Sequence, residues 1–183
     1  MADRRSFWPV VVLGAAASAL AATAASRPWA TATAEVTGAA REVSADGSDV
    51  APLALALSLV ALASWGALLV TRTRGRRVAA VVGLVASAGT VAAAATSYNR
   101  AVDEAIELGG GAVLADGSHT AWYFVLLVAA AAASALCGVA LRSAGSWPEM
   151  GARYDAPGGQ PPSRTPDQAD LWKALDEGHD PTA

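Results

Sequence analysis

The sequence predicts an all-α membrane protein with four transmembrane helices, and three observations carry that prediction. Four apolar runs, about residues 7–25, 51–71, 78–97 and 121–141, approach the ~20 residues that cross a hydrocarbon core of ~30 Å. None of them contains Asp, Glu, Lys, Arg or His. Between the second and third lies R-T-R-G-R-R, with Arg72, Arg74, Arg76 and Arg77 crowded into residues 72–77. Short loops rich in Lys and Arg stay on the cytoplasmic side, so this stretch reads as a tight cytoplasmic turn. The chain has 183 residues, 54% of them hydrophobic, and the four runs leave little for a water-soluble core. A soluble helical bundle is the competing reading, but it requires a charged face that none of the runs shows.

Before the first run, Arg4 and Arg5 mark an inner boundary. A secretory signal peptide would also begin with a basic start and an apolar stretch, and Ala22-Thr23-Ala24 resembles a cleavage site. The run exceeds the about 7–15 residues of a signal core, and Trp29 follows as an interfacial anchor, so a retained span is expected. Cleavage would leave three spans.

Residues 27–50 form the first loop, with Arg27 and Arg41 against Glu35, Glu42, Asp46 and Asp49. Its poverty in positive charge fits the extracytoplasmic side. Thr31, Thr33 and Glu35 alternate with Ala32, Ala34 and Val36, the period of a half-buried strand. A second strand is expected over 41–45, ending at the turn signal Asp46-Gly47-Ser48. The two make a small hairpin on the outer membrane face.

The second run is rich in leucine and opens at Pro52; the third leans on alanine and glycine. Ala79, Gly83 and Ser87 in the third run, and Gly14 and Ser18 in the first, recur at four-residue spacing. That small-xxx-small pattern lets helix backbones approach closely, although alanine-rich helices also produce it by chance. Residues 98–120 form the second outer loop. An amphipathic helix is expected over 100–108, ended by Gly109-Gly110-Gly111. A short strand over 112–115, followed by Asp116-Gly117, can join the hairpin. The glycine triplet is no phosphate loop, because no Gly-Lys-Ser/Thr follows. The fourth run carries Trp122 and Tyr123 at its outer end and Arg142 at its inner end.

Arginine is concentrated at the inner ends, so the expected localisation is the cell membrane with both termini cytoplasmic. Trp8, Trp29, Tyr98, Trp122, Tyr123 and Trp147 fall near span boundaries and read as interfacial anchors, while Trp65 lies deeper and packs between helices. The membrane domain therefore covers 1–142. Residues 143–164, rich in Pro, Gly and Ser, read as a flexible linker. Residues 165–183 open with a capping box, Thr165-Pro166-Asp167-Gln168, and present Leu171, Trp172 and Leu175 as one apolar stripe. A helix this short is marginal alone in water. It is expected to dock on the inner membrane surface, on the arginine turn through Asp170, Asp176 and Glu177, or on a cytoplasmic or membrane protein partner.

Four spans, R-P-W-A-T at 27–31, the basic turn, R-Y-D-A-P at 153–157 and L-W-K-A-L-D-E-G-H-D-P-T at 171–182 together resemble one family. It is the tryptophan-biosynthesis-associated membrane protein family of high-GC Gram-positive bacteria. The resemblance runs over nearly the whole chain, and the tail pieces are its most specific part. It implies an association with that pathway, and it brings no established catalytic or binding residues to transfer.

The residues themselves point to little chemistry. Intramembrane ionisable groups, the usual mark of proton relays, are missing from the runs. His119 and His179 have no second histidine or cysteine at ligand spacing, so no metal or other cofactor is expected. The single Cys137 lies in the fourth run and reads as a small buried residue. The net charge of −3 averages over two membrane sides and gives no support for nucleic-acid binding. The expected function is a non-enzymatic accessory or scaffold protein in the lipid bilayer. The alternative is a small permease component for an aromatic amino acid or precursor, with Arg27 beside Trp29 meeting a carboxylate and a ring at the outer mouth.

Overall fold

The computed structural model describes residues 4–36, 39–110 and 113–143. The expected linker beyond Ser143, the tail helix with Leu171, Trp172 and Leu175, and the anchor Trp147 lie outside the described residues. Four long helices, α1 (Arg4–Ala25), α3 (Pro52–Val70), α4 (Thr73–Thr96) and α6 (Ala121–Ser143), alternate with a short helix α2 (Gly47–Val50), an amphipathic helix α5 (Tyr98–Leu108) and three strands. The strands are β1 (Pro28–Val36), β2 (Ala39–Asp46) and β3 (Val113–His119). Among the described residues these four helices are the ones long and apolar enough to cross a membrane.

Around the bundle the order is α1, α3, α4, α6, each helix packing against its two neighbours. The side chains at these contacts invert the pattern of a water-soluble bundle. Ser18, Ser58, Ser64, Ser87 and Thr90 are buried, together with Ala21, Ala61, Ala86, Ala130 and Ala133. Leu13, Leu53, Leu59, Val70, Val85 and Val128 point outward, Val70 with 88% of its surface exposed. Only an apolar solvent makes that arrangement favourable: aliphatic side chains gain nothing by turning inward, and small residues inside let backbones close up. The buried hydroxyls are satisfied within their own helices. Ser18 donates to the Gly14 carbonyl at 2.9 Å, Ser64 to Ala61 at 2.6 Å and Thr90 to Ala86 at 3.1 Å. Between helices, Ser134 Oγ lies 2.8 Å from Ser87 Oγ and ties α6 to α4.

Both small-residue spacings lie at close contacts. A Cβ on Gly14 would fall 2.1 Å from the Trp65 ring, and one on Gly83 would fall 2.3 Å from Ser64 Oγ and 3.0 Å from Cys137 Sγ. Trp65 is enclosed at 1% exposure, packing between helices as its depth in the span suggested.

The sheet has the order β2-β1-β3, antiparallel throughout. The alternation in β1 holds: Ala30, Ala32 and Ala34 are buried, while Glu35 is exposed. Two turn signals behave otherwise than expected. Asp46-Gly47-Ser48 ends β2 but opens α2. Asp116-Gly117 lies inside β3, where Thr31 pairs with Ser118 and Thr33 with Ala115, so the ladder takes up the extra residue as a bulge. Gly117 earns its place by contact, since a Cβ there would sit 2.8 Å from Val102 Cγ1 on α5. The expected helix over 100–108 is α5, which lays Ala101, Val102, Ala105 and Ile106 against the same core as the sheet and leaves Asp103, Glu104 and Glu107 exposed. Gly110, at φ 65°, ends it in the left-handed conformation that glycine adopts freely.

The arginine turn is tighter than the sequence suggested. α4 begins at Thr73, so Arg74, Arg76 and Arg77 belong to its first turns and the connection is little more than Thr71 and Arg72.

Gly14→Ala should destabilise the protein by about 1–3 kcal/mol, the cost of overpacking, because Trp65 blocks the new methyl group. Gly66→Ala and Gly138→Ala, with nothing within 4 Å of the built Cβ, should be neutral or slightly stabilising. Thermal unfolding of the detergent-solubilised variants checks the contrast.

Candidate functional site

At the end of the bundle opposite the arginine turn, the two loops fold into one cap whose base is aromatic. Trp29 follows α1 by four residues, and β1 turns it down onto the helices, where it is fully buried. Its indole Nε1–H donates to the Ala24 carbonyl at 3.0 Å, back on the helix it left. Gly47 lies against the indole so closely that a Cβ would come within 2.2 Å of the ring. The ring meets Tyr123 edge-on, centroids 5.5 Å apart. Tyr123, at 2% exposure, donates its hydroxyl to the Ala94 carbonyl at 3.0 Å, linking α6 to the end of α4.

Around Tyr123 the aromatic contacts continue. Tyr98 stacks on His119 with centroids 4.0 Å apart and planes 14° from parallel. His119 Nε2 lies 3.0 Å from the Tyr98 carbonyl oxygen; a carbonyl can only accept, so this nitrogen carries the hydrogen. Phe124 closes the group at 5.5 Å from Tyr123 and 6.4 Å from His119. Thr120 fixes the junction of β3 and α6, its N–H donating to the Trp29 carbonyl at 2.8 Å and its hydroxyl to the Pro28 carbonyl. Segments 28–29, 94–98 and 119–124 are thus held together by rings and by four hydrogen bonds to backbone carbonyls.

The expected boundary residues divide into two groups. Trp8 (60% exposed), Tyr98 (45%) and Trp122 (38%) keep surface available to a surrounding membrane. Trp29 and Tyr123 do not: they are enclosed by protein, because strand pairing and the hydrogen bonds to Ala24 and Ala94 turn their rings inward. Of the pair Arg27 and Trp29, expected at an outer mouth, Arg27 is exposed and Trp29 is enclosed. Arg27 lies instead over Trp122, its guanidinium carbon 5.5 Å from the ring centre. At the other end, Arg4 and Arg5 begin α1, Arg142 lies in the last turn of α6, and Arg72, Arg74 and Arg77 are exposed. Arg76 is buried, with its guanidinium carbon 5.4 Å from the centre of the Phe7 ring.

Sequence reasoning missed the clamp of Tyr98, His119 and Tyr123. Tyr98 and Tyr123 read singly as boundary anchors and His119 as a histidine without ligand partners, and only the pairing of β1 with β3 brings positions 98, 119 and 123 together. A ring of aromatic residues at the ends of three consecutive segments was the available signal. Chemically the cluster is a clamp: His119 Nε2 and the Tyr123 hydroxyl are both directed at backbone carbonyls. Among the described residues no three His, Cys, Asp or Glu side chains are arranged to hold a metal ion.

Four apolar helices with small residues inside, joined to a small sheet and an amphipathic helix, define a multi-pass membrane protein with a folded cap. No curated protein and no solved structure matches the chain. Residues 11–182 match the tryptophan-associated transmembrane protein family, and the chain belongs to it.

Trp29→Ala should open the cap. Loss of a buried tryptophan costs about 3–5 kcal/mol, and the exposed Arg41 on β2 would become a faster tryptic site. Trp8→Ala should leave the cleavage rate unchanged. Timed trypsin digestion of the purified variants, followed by mass analysis of the fragments, distinguishes the two.

Proposed function

We propose that this protein is a non-enzymatic accessory protein of the cell membrane that serves tryptophan biosynthesis by holding a partner at the inner membrane surface. Both termini are then cytoplasmic and the cap lies outside. The observation that carries this reading is the bundle interior. Small side chains close it, and hydroxyls such as Ser18, Ser64 and Thr90 are bonded to their own helices, as suits a packed anchor. The pathway link rests on family membership. The orientation rests on charge: among the described segments every acidic residue belongs to the cap, whereas Arg72, Arg74, Arg76, Arg77 and Arg142 lie at the opposite end. On this reading the partner is held through the tail, where the sequence spacing of Leu171, Trp172 and Leu175 predicts one apolar stripe.

A deletion strain should grow normally with tryptophan supplied and more slowly without it. Tagged protein should retain a biosynthetic or membrane partner on crosslinking, and Trp172→Ala should weaken that capture several-fold. Equal growth in both media together with no crosslinked partner would refute the accessory role. Sidedness has its own check in a Cys137→Ala background. A membrane-impermeant maleimide should label Ser118→Cys in intact cells, and Ser163→Cys only after permeabilisation.

A further inference from the structure

We propose that the groove between α3 and α4 is a binding site for an anionic phospholipid, one acyl chain lying along the groove and the phosphate held by Arg72, Arg74 and Arg77. The groove has a volume of about 490 Å³ and is almost wholly apolar, with Val60, Ala67, Thr71, Gly75, Val78 and Val82 among its lining residues. Along α3 it runs from Val60 to Thr71, which at the rise of an α-helix is roughly 16 Å. That is about half of the ~30 Å hydrocarbon core, the depth of one leaflet.

Its mouth lies at the arginine turn. Arg72 follows the lining residue Thr71, Arg74 precedes Gly75 and Arg77 precedes Val78, so each cation is one residue from the groove wall. All three are exposed, and among the described residues none of them makes an ion pair. The described acidic residues all lie in the cap at the opposite end. Guanidinium groups bind phosphate oxygens through paired N–H donors, and basic clusters beside transmembrane helices recognise anionic headgroups.

The same charge argues against a second copy of the chain in the groove. Membrane insertion gives every copy one orientation, so a symmetric dimer through α3 and α4 would bring two arginine clusters together. An anionic lipid neutralises the cluster instead. The proposal does not depend on the accessory role argued above.

The test uses full-length protein in a neutral detergent, with bound lipid counted by native mass spectrometry after addition of phosphatidylglycerol or phosphatidylcholine. Phosphatidylglycerol should be retained about tenfold more strongly. Arg72→Gln, Arg74→Gln and Arg77→Gln should each lower its retention roughly fivefold, as expected for a cation at a charged interface. The corresponding lysine variants should keep most of it. Ala67→Phe, which fills the groove at an exposed position, should also lose the lipid, with helicity and thermal unfolding confirming that the variant is folded. Equal retention of the two lipids by the unmodified protein overturns the proposal, as does loss on Arg→Gln without loss on Ala67→Phe, which would mark a basic surface only. Displacement of phosphatidylglycerol by equimolar inorganic phosphate would mark a free-anion site. A dimer abolished by Ala67→Phe would put a second copy in the groove. Lipid preference appearing only in the Asp176→Arg, Glu177→Arg double variant would put the tail on the arginines. Each of these three results also overturns it.

Discussion

In a bilayer, leucine is as comfortable outside a helix bundle as inside it, so the hydrophobic effect cannot hold these four helices together. What remains is close contact, and the interior is built for it. Gly14 gives room to the Trp65 indole, Gly83 to Ser64 and Cys137, and Gly89 to Leu57, with a built Cβ at 2.9 Å or less from a neighbour in each case. The serines inside are small enough to keep these distances and bond their own carbonyls, so they add little polarity to the interface. The Ser134–Ser87 contact supplies one directional link between helices, of a kind worth about 0.6 kcal/mol. Large aliphatic side chains, displaced to the outside, become the surface that the lipid wets.

The cap depends on the same bundle. Its core is continuous with that of the helices: Ala30, Ala32, Ala45, Ala101 and Ala105 belong to one cluster with Ala24, Ala54, Tyr123 and Leu126. Three strands and an eleven-residue helix form too small a unit to bury much apolar surface alone. Trp29 supplies the junction, since it belongs to the strand by backbone and to the helices by packing. The clamp of Tyr98, His119 and Tyr123 then fastens the second loop to the first.

The spans, their order and the end carrying the arginines were legible because length, hydropathy and charge are local properties of the chain. The alternation in β1 and the amphipathic period of α5 were legible for the same reason. What was not legible depended on contact. Trp29 and Tyr123 sit at span boundaries, where tryptophan and tyrosine usually face headgroups; only β1–β3 pairing and the carbonyls of Ala24 and Ala94 determine that they turn inward. Asp116-Gly117 carries a turn signal, yet a bulge opposite Thr31 and Thr33 absorbs it, because packing against Val102 on α5 keeps β3 extended. Arg76 differs from its neighbours in the same way. Nothing in R-T-R-G-R-R marks which arginine is buried; Arg76 is set apart by the face of α4 that turns into the bundle, where it lies over Phe7.

The central position of β1 also sets an order of assembly. Its partner β2 follows directly, whereas β3 is made only after α3, α4 and α5, so Ala34 must wait for Val113 across two membrane crossings. Until then β1 has one edge unpaired and the Tyr98–His119 stack does not exist. The cap is complete only when the second loop has arrived on the same side as the first, which makes its closure a structural record of correct insertion. A chain whose third span failed to cross would place β3 on the wrong side and leave that edge of β1 open.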